Sequence, residues 1–216
     1  MSSKSHFFKR RESGDPNLVA WYKFENNIND ETGNNNGISS ANLTYASDLD
    51  GFAGSFNGFS SSVTIPDSDD FSFTDGVNDV AFKIELNWKC NRLTGTQVLL
   101  NKRDNLSIGN EWQIATFGND FRIYLLDFDG AGFIYAQITD ALIIDEYYDI
   151  VVDYDGSGLH TGLKITVNGV ESTFSTGTYS GMSNTNSQVI IGDAGWSMGS
   201  GLGAGGLIDN VKIYKY

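Results

Sequence analysis

Carboxylates are the most numerous groups in this chain that could do chemistry, with 27 Asp and Glu against 14 Lys and Arg and two His. Paired on one strand face, two of them could act as nucleophile and acid–base in glycoside hydrolysis. The densest acidic stretch is DEYYDIVVDYD, residues 145–155. Alternation along a strand puts Asp149 and Asp153 on the side of Tyr147 and Val151, away from Tyr148, Ile150, Val152 and Tyr154. That pattern predicts a solvated rim. Other nucleophiles and bases lack partners at a useful spacing. His6 is near the N-terminus, His160 sits in the turn GSGLHTG, and the serines form no Gly-x-Ser-x-Gly. GLGAGG (201–206) does not join a strand to a helix, so it gives no phosphate cradle. The chain reads as a non-enzyme.

Binding chemistry has more candidates. DLDG (48–51), DFDG (127–130) and DYDG (153–156) look like fragments of calcium loops, but none has a Glu at the twelfth position, and two of the three fit ordinary hairpin turns. In the closing LIDNVKIYKY, alternation places Asp209 on the face of Leu207, Val211 and Ile213. A carboxylate in an apolar row must be satisfied by an ion or by backbone donors. Both readings of Asp209 stand: calcium, or N–H bonds that pin the last strand to its sheet. Among aromatics outside the alternating core faces, Trp196 is the leading ligand candidate. Its loop, DAGWSMGSGLGAGG, would let a large flat ring stack on a sugar, pack on a partner, or cover one end of the fold. Trp112 and Tyr179 are further ligand candidates, whereas Trp21 and Trp88 lie in regular strands and read as core.

The elements that must position these residues are strands. The 25 Gly, only two Pro and many Asn, Asp and Ser predict short strands joined by turns. VAFKIELNWK is the plainest, with Phe82, Ile84, Leu86 and Trp88 on one face and Lys83, Glu85 and Asn87 on the other. LVAWYKFE puts Leu18, Ala20, Tyr22 and Phe24 together, and Asn168-Gly169 marks a type I′ hairpin turn. About twelve to fourteen strands and no long amphipathic helix predict an all-β, two-sheet antiparallel sandwich over residues 18–216. Cys90 is the single cysteine, so no internal disulfide forms. No stretch approaches 18 apolar residues, and the N-terminus has no apolar core of the kind a secretory signal needs. The expectation is a chain made in the cytoplasm, without membrane insertion.

Residues 1–17 stand apart. Lys4, Lys9, Arg10 and Arg11 against Glu12 and Asp15 give this arm a net +2, which leaves −15 on the body of a chain of net −13. An acidic body argues against nucleic acid as a partner. The arm is either a free tail or a docking peptide, with Phe7 and Phe8 as anchors and Lys9, Arg10 and Arg11 steering toward an acidic surface, a second copy included.

LVAWYKFENNINDETGNNNG, VAFKIELNWK, DEYYDIVVDYDG, LKITVNGV, VIIG and GLIDNVKIYKY occur in that order. The series resembles laminin-G-like domains of the concanavalin A-like lectin and glucanase superfamily over residues 18–216. The resemblance implies a jelly roll whose first and last strands are neighbours. It also implies a structural calcium in loops like that of Asp30, near the terminal strands. The Glu-x-Asp-x(1–2)-Glu strand of the superfamily's retaining glucanases does not occur here. The chain also departs from the family in having Tyr147 and Tyr148 where relatives often carry His or Trp. The implied roles are non-catalytic. One is a bacteriophage virion component (head decoration, head fibre or tail protein), docked on other virion proteins by the arm. The alternative is a free or cell-surface glycan-binding lectin or adhesin. A homo-oligomer or assembly subunit is expected in either case.

Overall fold

The computed structural model describes residues 14–48, 50–93, 95–104, 108–139, 142–195 and 201–216. Among these the strands are β1 (Leu18–Tyr22), β2 (Ser39–Ala41), β3 (Thr44–Asp48), β4 (Gly51–Asn57), β5 (Ser62–Ile65), β6 (Phe82–Cys90), β7 (Thr96–Arg103) and β8 (Asn110–Phe117). They continue with β9 (Asp120–Leu126), β10 (Phe133–Thr139), β11 (Tyr147–Tyr154), β12 (Leu163–Val167), β13 (Val170–Glu171), β14 (Phe174–Thr178), β15 (Val189–Ile191) and β16 (Gly205–Lys215). No helix among the described residues is long and apolar enough to cross a membrane.

Two eight-stranded sheets form the sandwich. Sheet A runs β13–β12–β11–β6–β16–β4–β3, with β1 also paired to β16; sheet B runs β14–β10–β9–β8–β7–β15–β5–β2. The pairings are antiparallel. β1 lies against the last strand, Ala20 opposite Ile213 and Tyr22 opposite Val211, as the resemblance implied. β6 keeps its predicted alternation, burying Phe82, Ile84, Leu86, Trp88 and Cys90. Those side chains and Tyr148, Ile150, Val152 and Tyr154 of β11 share one core with Trp112, Ile114, Ile123 and Leu125 of sheet B. Each fully buried large apolar side chain contributes about 1.5–3 kcal/mol. Asn168 and Gly169 both have positive φ, 50° and 79°, as a type I′ turn between β12 and β13 requires.

The last strand departs from simple alternation. Asp209 pairs with Asn87 and Lys212 with Glu85, so Asn210 and Val211 together oppose the single residue Leu86. Asn210 is left-handed at φ 50°, a conformation Asn tolerates better than most residues. This bulge turns Ile208, Val211 and Ile213 into the core and leaves Leu207 and Asp209 on the outer face beside Lys89 and Asn87. The predicted face of Leu207, Asp209, Val211 and Ile213 is therefore corrected, because alternation cannot count through an inserted residue. Trp21 is buried as expected, 7% exposed, but outside the central cluster: it pairs with Lys212 on the other face of the sheet, where the amines of Lys23 and Lys212 cover its ring at 4.2 and 4.9 Å.

A second bulge shapes sheet B. Lys102 pairs with Trp112 and Arg103 with Asn110, which makes Glu111 the extra residue. Glu111 and Trp112 both lie in the interior, at 0% exposure. The Lys102 amine, also fully buried, donates to Glu111 Oε1 at 2.6 Å and to the Thr185 carbonyl at 2.9 Å, with Asp67 Oδ1 at 2.9 Å. Ser72 and Thr185 also donate to Glu111 Oε1, whereas Oε2 has no partner. Burial raises the Glu111 pKa, and Lys102 works in the opposite direction.

Candidate functional site

The outer face of sheet B carries aromatic side chains at the positions opposite in parity to the core residues. On β8, Trp112 and Ile114 point inward and Gln113, Ala115 and Phe117 outward. On β9 the outward residues are Arg122 and Tyr124, on β10 Phe133, Tyr135 and Gln137, and on the edge strand β14 Phe174. Cross-strand register brings the rings into a row. Phe117 meets Tyr124 at 5.7 Å between centroids, Tyr124 meets Tyr135 at 5.1 Å, and Tyr135 meets Phe174 at 5.8 Å. Phe133 flanks the row, 5.7 Å from Tyr124 and 6.1 Å from Tyr135. Phe133 and Phe174 are its most open members, 39% and 49% exposed.

Polar groups are set into this row. The Arg122 guanidinium lies 5.0 Å from the Phe117 ring and 5.4 Å from the Tyr135 ring, and donates to the Tyr124 hydroxyl and to Asp120, each at 2.9 Å. Arg103 donates to Asn110 at 2.7 Å and to Gln113 at 2.9 Å. These contacts hold the side chains in place before any ligand arrives, which lowers the ordering cost of binding. The arrangement can offer apolar ring surface next to fixed hydrogen-bonding groups. That suits a ligand with C–H faces and hydroxyl edges.

The two described ends of the glycine-rich loop reach the same face. Ala194 packs on Val98 and Ala115, with Phe117 and Leu202 against them. Trp196 itself lies outside the described residues, as do Phe7, Phe8, Lys9, Arg10 and Arg11.

The structure does not gather the other predicted site residues. Trp112 is corrected to a core residue: it is 0% exposed and its indole donates to the Phe71 carbonyl at 2.9 Å. Tyr179 is half-buried, and its hydroxyl donates to Asp79, which also accepts from Tyr154 at 2.7 Å. It packs against the core and lines a shallow cleft with Val77, Gly158 and Gly181.

Asp30 is 4% exposed, and both of its oxygens are occupied. Oδ1 accepts the backbone N–H groups of Trp21 at 2.8 Å and Thr32 at 3.0 Å. Oδ2 accepts those of Asn34 at 3.2 Å and Asn35 at 3.0 Å, together with the Thr32 hydroxyl. A carboxylate offers about four lone-pair positions. Asp30 therefore does not fit a calcium ion; it ties the Asn-rich loop to β1 by protein donors alone. Asp209 meets fewer donors. Its oxygens accept from the backbone N–H and side-chain amide of the adjacent Asn210, each at 2.7 Å. These bonds hold the bulge and do not reach across to another strand, so the pinning role expected of Asp209 belongs to Asp30. Burial, with Asp48, Glu25 and Asp50 adding to it, pushes the Asp209 carboxyl up to about 7. Among the described residues, no group of three or more His, Cys, Asp or Glu is placed to hold a metal ion.

Sequence reasoning missed the aromatic row, although its signal was present. FIYAQI places Phe133 and Tyr135 on one parity and Ile134, Ala136 and Ile138 on the other, and FRIYLL places Tyr124 with Arg122 opposite the apolar Phe121, Ile123 and Leu125.

A family model described as the concanavalin A-like lectin/glucanases superfamily matches residues 54–216. No curated protein matches the sequence significantly. Among solved structures, domain 4 of AbnA, a GH43 extracellular arabinanase from Geobacillus stearothermophilus in complex with arabinotriose, is 20% identical. It superimposes with a TM-score of 0.63 over 92% of each chain. The binding domain of Paraclostridial Mosquitocidal Protein 1 is 17% identical, with a TM-score of 0.69 over 92% of this chain and 49% of that one. The binding domain of botulinum neurotoxin DC in complex with SialylT is 13% identical, with a TM-score of 0.63 over 92% and 48%. This chain thus spans about half the length of those toxin domains.

Proposed function

The chain belongs to the concanavalin A-like lectin/glucanases superfamily, and from that premise we propose that it is a non-catalytic module that binds glycans on the outer face of sheet B. The observation that carries this reading is the row of Phe117, Tyr124, Tyr135, Phe133 and Phe174 with Arg122 set among the rings. A solvent-facing aromatic patch with fixed polar groups marks a binding surface. Sugar rings meet it with their C–H faces on the aromatics and their hydroxyls on Arg122, Gln137 and the tyrosine hydroxyls. Two similarly folded domains were solved with carbohydrate, arabinotriose in one and SialylT in the other, which supports the same class of ligand here. Glycan-array screening followed by titration of the best ligand tests the proposal. Loss of binding in Phe133→Ala and Phe174→Ala supports it, and an array with no bound glycan counts against it.

A second, finer reading concerns assembly. The basic-aromatic composition of residues 1–17, opposite in charge to the rest of the chain, favours docking on a larger structure such as a phage virion. Co-purification with particles tests it. If the protein never sediments with them and deleting residues 1–17 changes nothing, that role is lost.

A further inference from the structure

The outer face of sheet A differs in chemistry from that of sheet B. The β3–β4 hairpin ends in Asp48, Asp50 and Gly51, and two contacts hold it over β16 and β11. The Tyr147 hydroxyl donates to Asp48 Oδ1, and Glu25 Oε2 accepts the Phe52 N–H at 3.2 Å. Gly51 is needed for that approach, because its φ is +112° and a Cβ would lie 2.2 Å from Glu25 Oε1. The hairpin therefore brings Glu25, Asp48 and Asp50 within electrostatic range of Asp209, each raising its pKa. Asp149, which accepts from Asn87 at 3.4 Å, and Asp145 continue the acidic surface along β11 and the turn before it. Lys89 is the amine set among these groups, 3.8 Å from Asp145 and over the Tyr147 ring. Beside it, Ser55, Asn91 and Leu207 line a shallow cleft.

We propose that this acidic surface around Glu25, Asp48, Asp50, Asp145 and Asp209 is the docking site for the chain's own basic segment, residues 4–11. Charge complementarity is the first argument: Lys4, Lys9, Arg10 and Arg11 are the densest run of positive charge in a chain of net −13. Reach is the second. The described chain starts at Gly14 and enters β1 at Leu18, opposite Tyr214. From there β16 needs only about 17 Å to reach Asp209 at ~3.3 Å per residue. The thirteen residues before Gly14 extend to about 45 Å. Apolar contacts are the third, with Phe52 exposed at the hairpin and Leu207 in the cleft available to Phe7 and Phe8. The occupant is the arm of the same molecule, which the reach from Gly14 allows, and links recovered only in covalent dimers overturn that assignment.

Zero-length carbodiimide cross-linking of the full chain, read by peptide mapping, tests the proposal. The expected links join Lys4 or Lys9 to Glu25, Asp48, Asp50 or Asp145. They fall at least tenfold on going from about 50 mM to about 1 M salt, where screening shortens to ~3 Å. Links that fall equally on other exposed acids, such as Asp104 and Asp129, overturn it. Asp50→Lys changes one exposed side chain and leaves the hairpin bonds in place, so folding is retained. Persistence of the same links in that variant at unchanged yield also overturns the proposal. Glycan binding on sheet B is read separately and does not depend on this result.

Discussion

Asp30 takes the pinning role that the sequence predicted for Asp209. Asp30 collects four backbone N–H groups and a hydroxyl, so Asp30→Ala leaves buried donors unpaired. Urea denaturation should show a loss of about 3–5 kcal/mol. Because both oxygens are filled by protein donors, excess EDTA should leave the melting temperature of the parent unchanged. A fall of several degrees would restore calcium to this loop. Asp209 behaves in the opposite sense. Its carboxyl titrates near 7 when folded, against an ordinary value of 3.8, so the folded state holds the proton more tightly. Its contribution to stability is fully present below about pH 4 and is lost as pH rises to about 7. Asp209→Asn should therefore gain on the parent across that window and level off above it, by on the order of 4 kcal/mol. A difference that does not vary with pH would contradict the assignment. The misreading has a physical origin. Hydrophobic alternation carries no mark of an inserted residue, and only the left-handed Asn210 reveals one.

Strands were legible where one face is apolar and the ladder is regular. β6, β11, the β12–β13 turn and the pairing of β1 with β16 all follow from parity, turn residues or the family resemblance. β7 and β8 were less legible, because they are buried on both faces for much of their length and β8 carries a bulge. That bulge inserts Glu111 into the interior, where Lys102 compensates it. Lys102→Met should destabilise the protein by about 3–5 kcal/mol, since a buried carboxylate would then lose its counter-charge. Adding Glu111→Leu should recover a large part of that loss. Equal instability of the single and double variants in urea denaturation would show that the pair is not the reason. The aromatic row lay in plain view on FRIYLL and FIYAQI, but choosing the functional face requires the register between strands. Parity within one strand cannot show that Tyr124, Tyr135 and Phe174 are neighbours.

At the scale of the whole molecule, the sandwich separates two chemistries by its thickness. Sheet B presents aromatic rings with Arg122 and Arg103, and sheet A presents carboxylates on its far side. The two proposals, a glycan on one face and a cationic segment on the other, therefore concern surfaces separated by the core. Fold membership was readable from six ordered sequence segments, whereas the place of binding was not, because superfamily membership fixes a scaffold and leaves the site to individual side chains. The measurement that bears most directly on the glycan reading is calorimetric titration of the best array ligand into the parent, Tyr135→Ala, Phe174→Ala and Asp50→Lys. The account predicts at least a tenfold weaker affinity in the two aromatic variants, parent-like affinity in Asp50→Lys, and no change on adding EDTA. Undiminished affinity in both aromatic variants would contradict it.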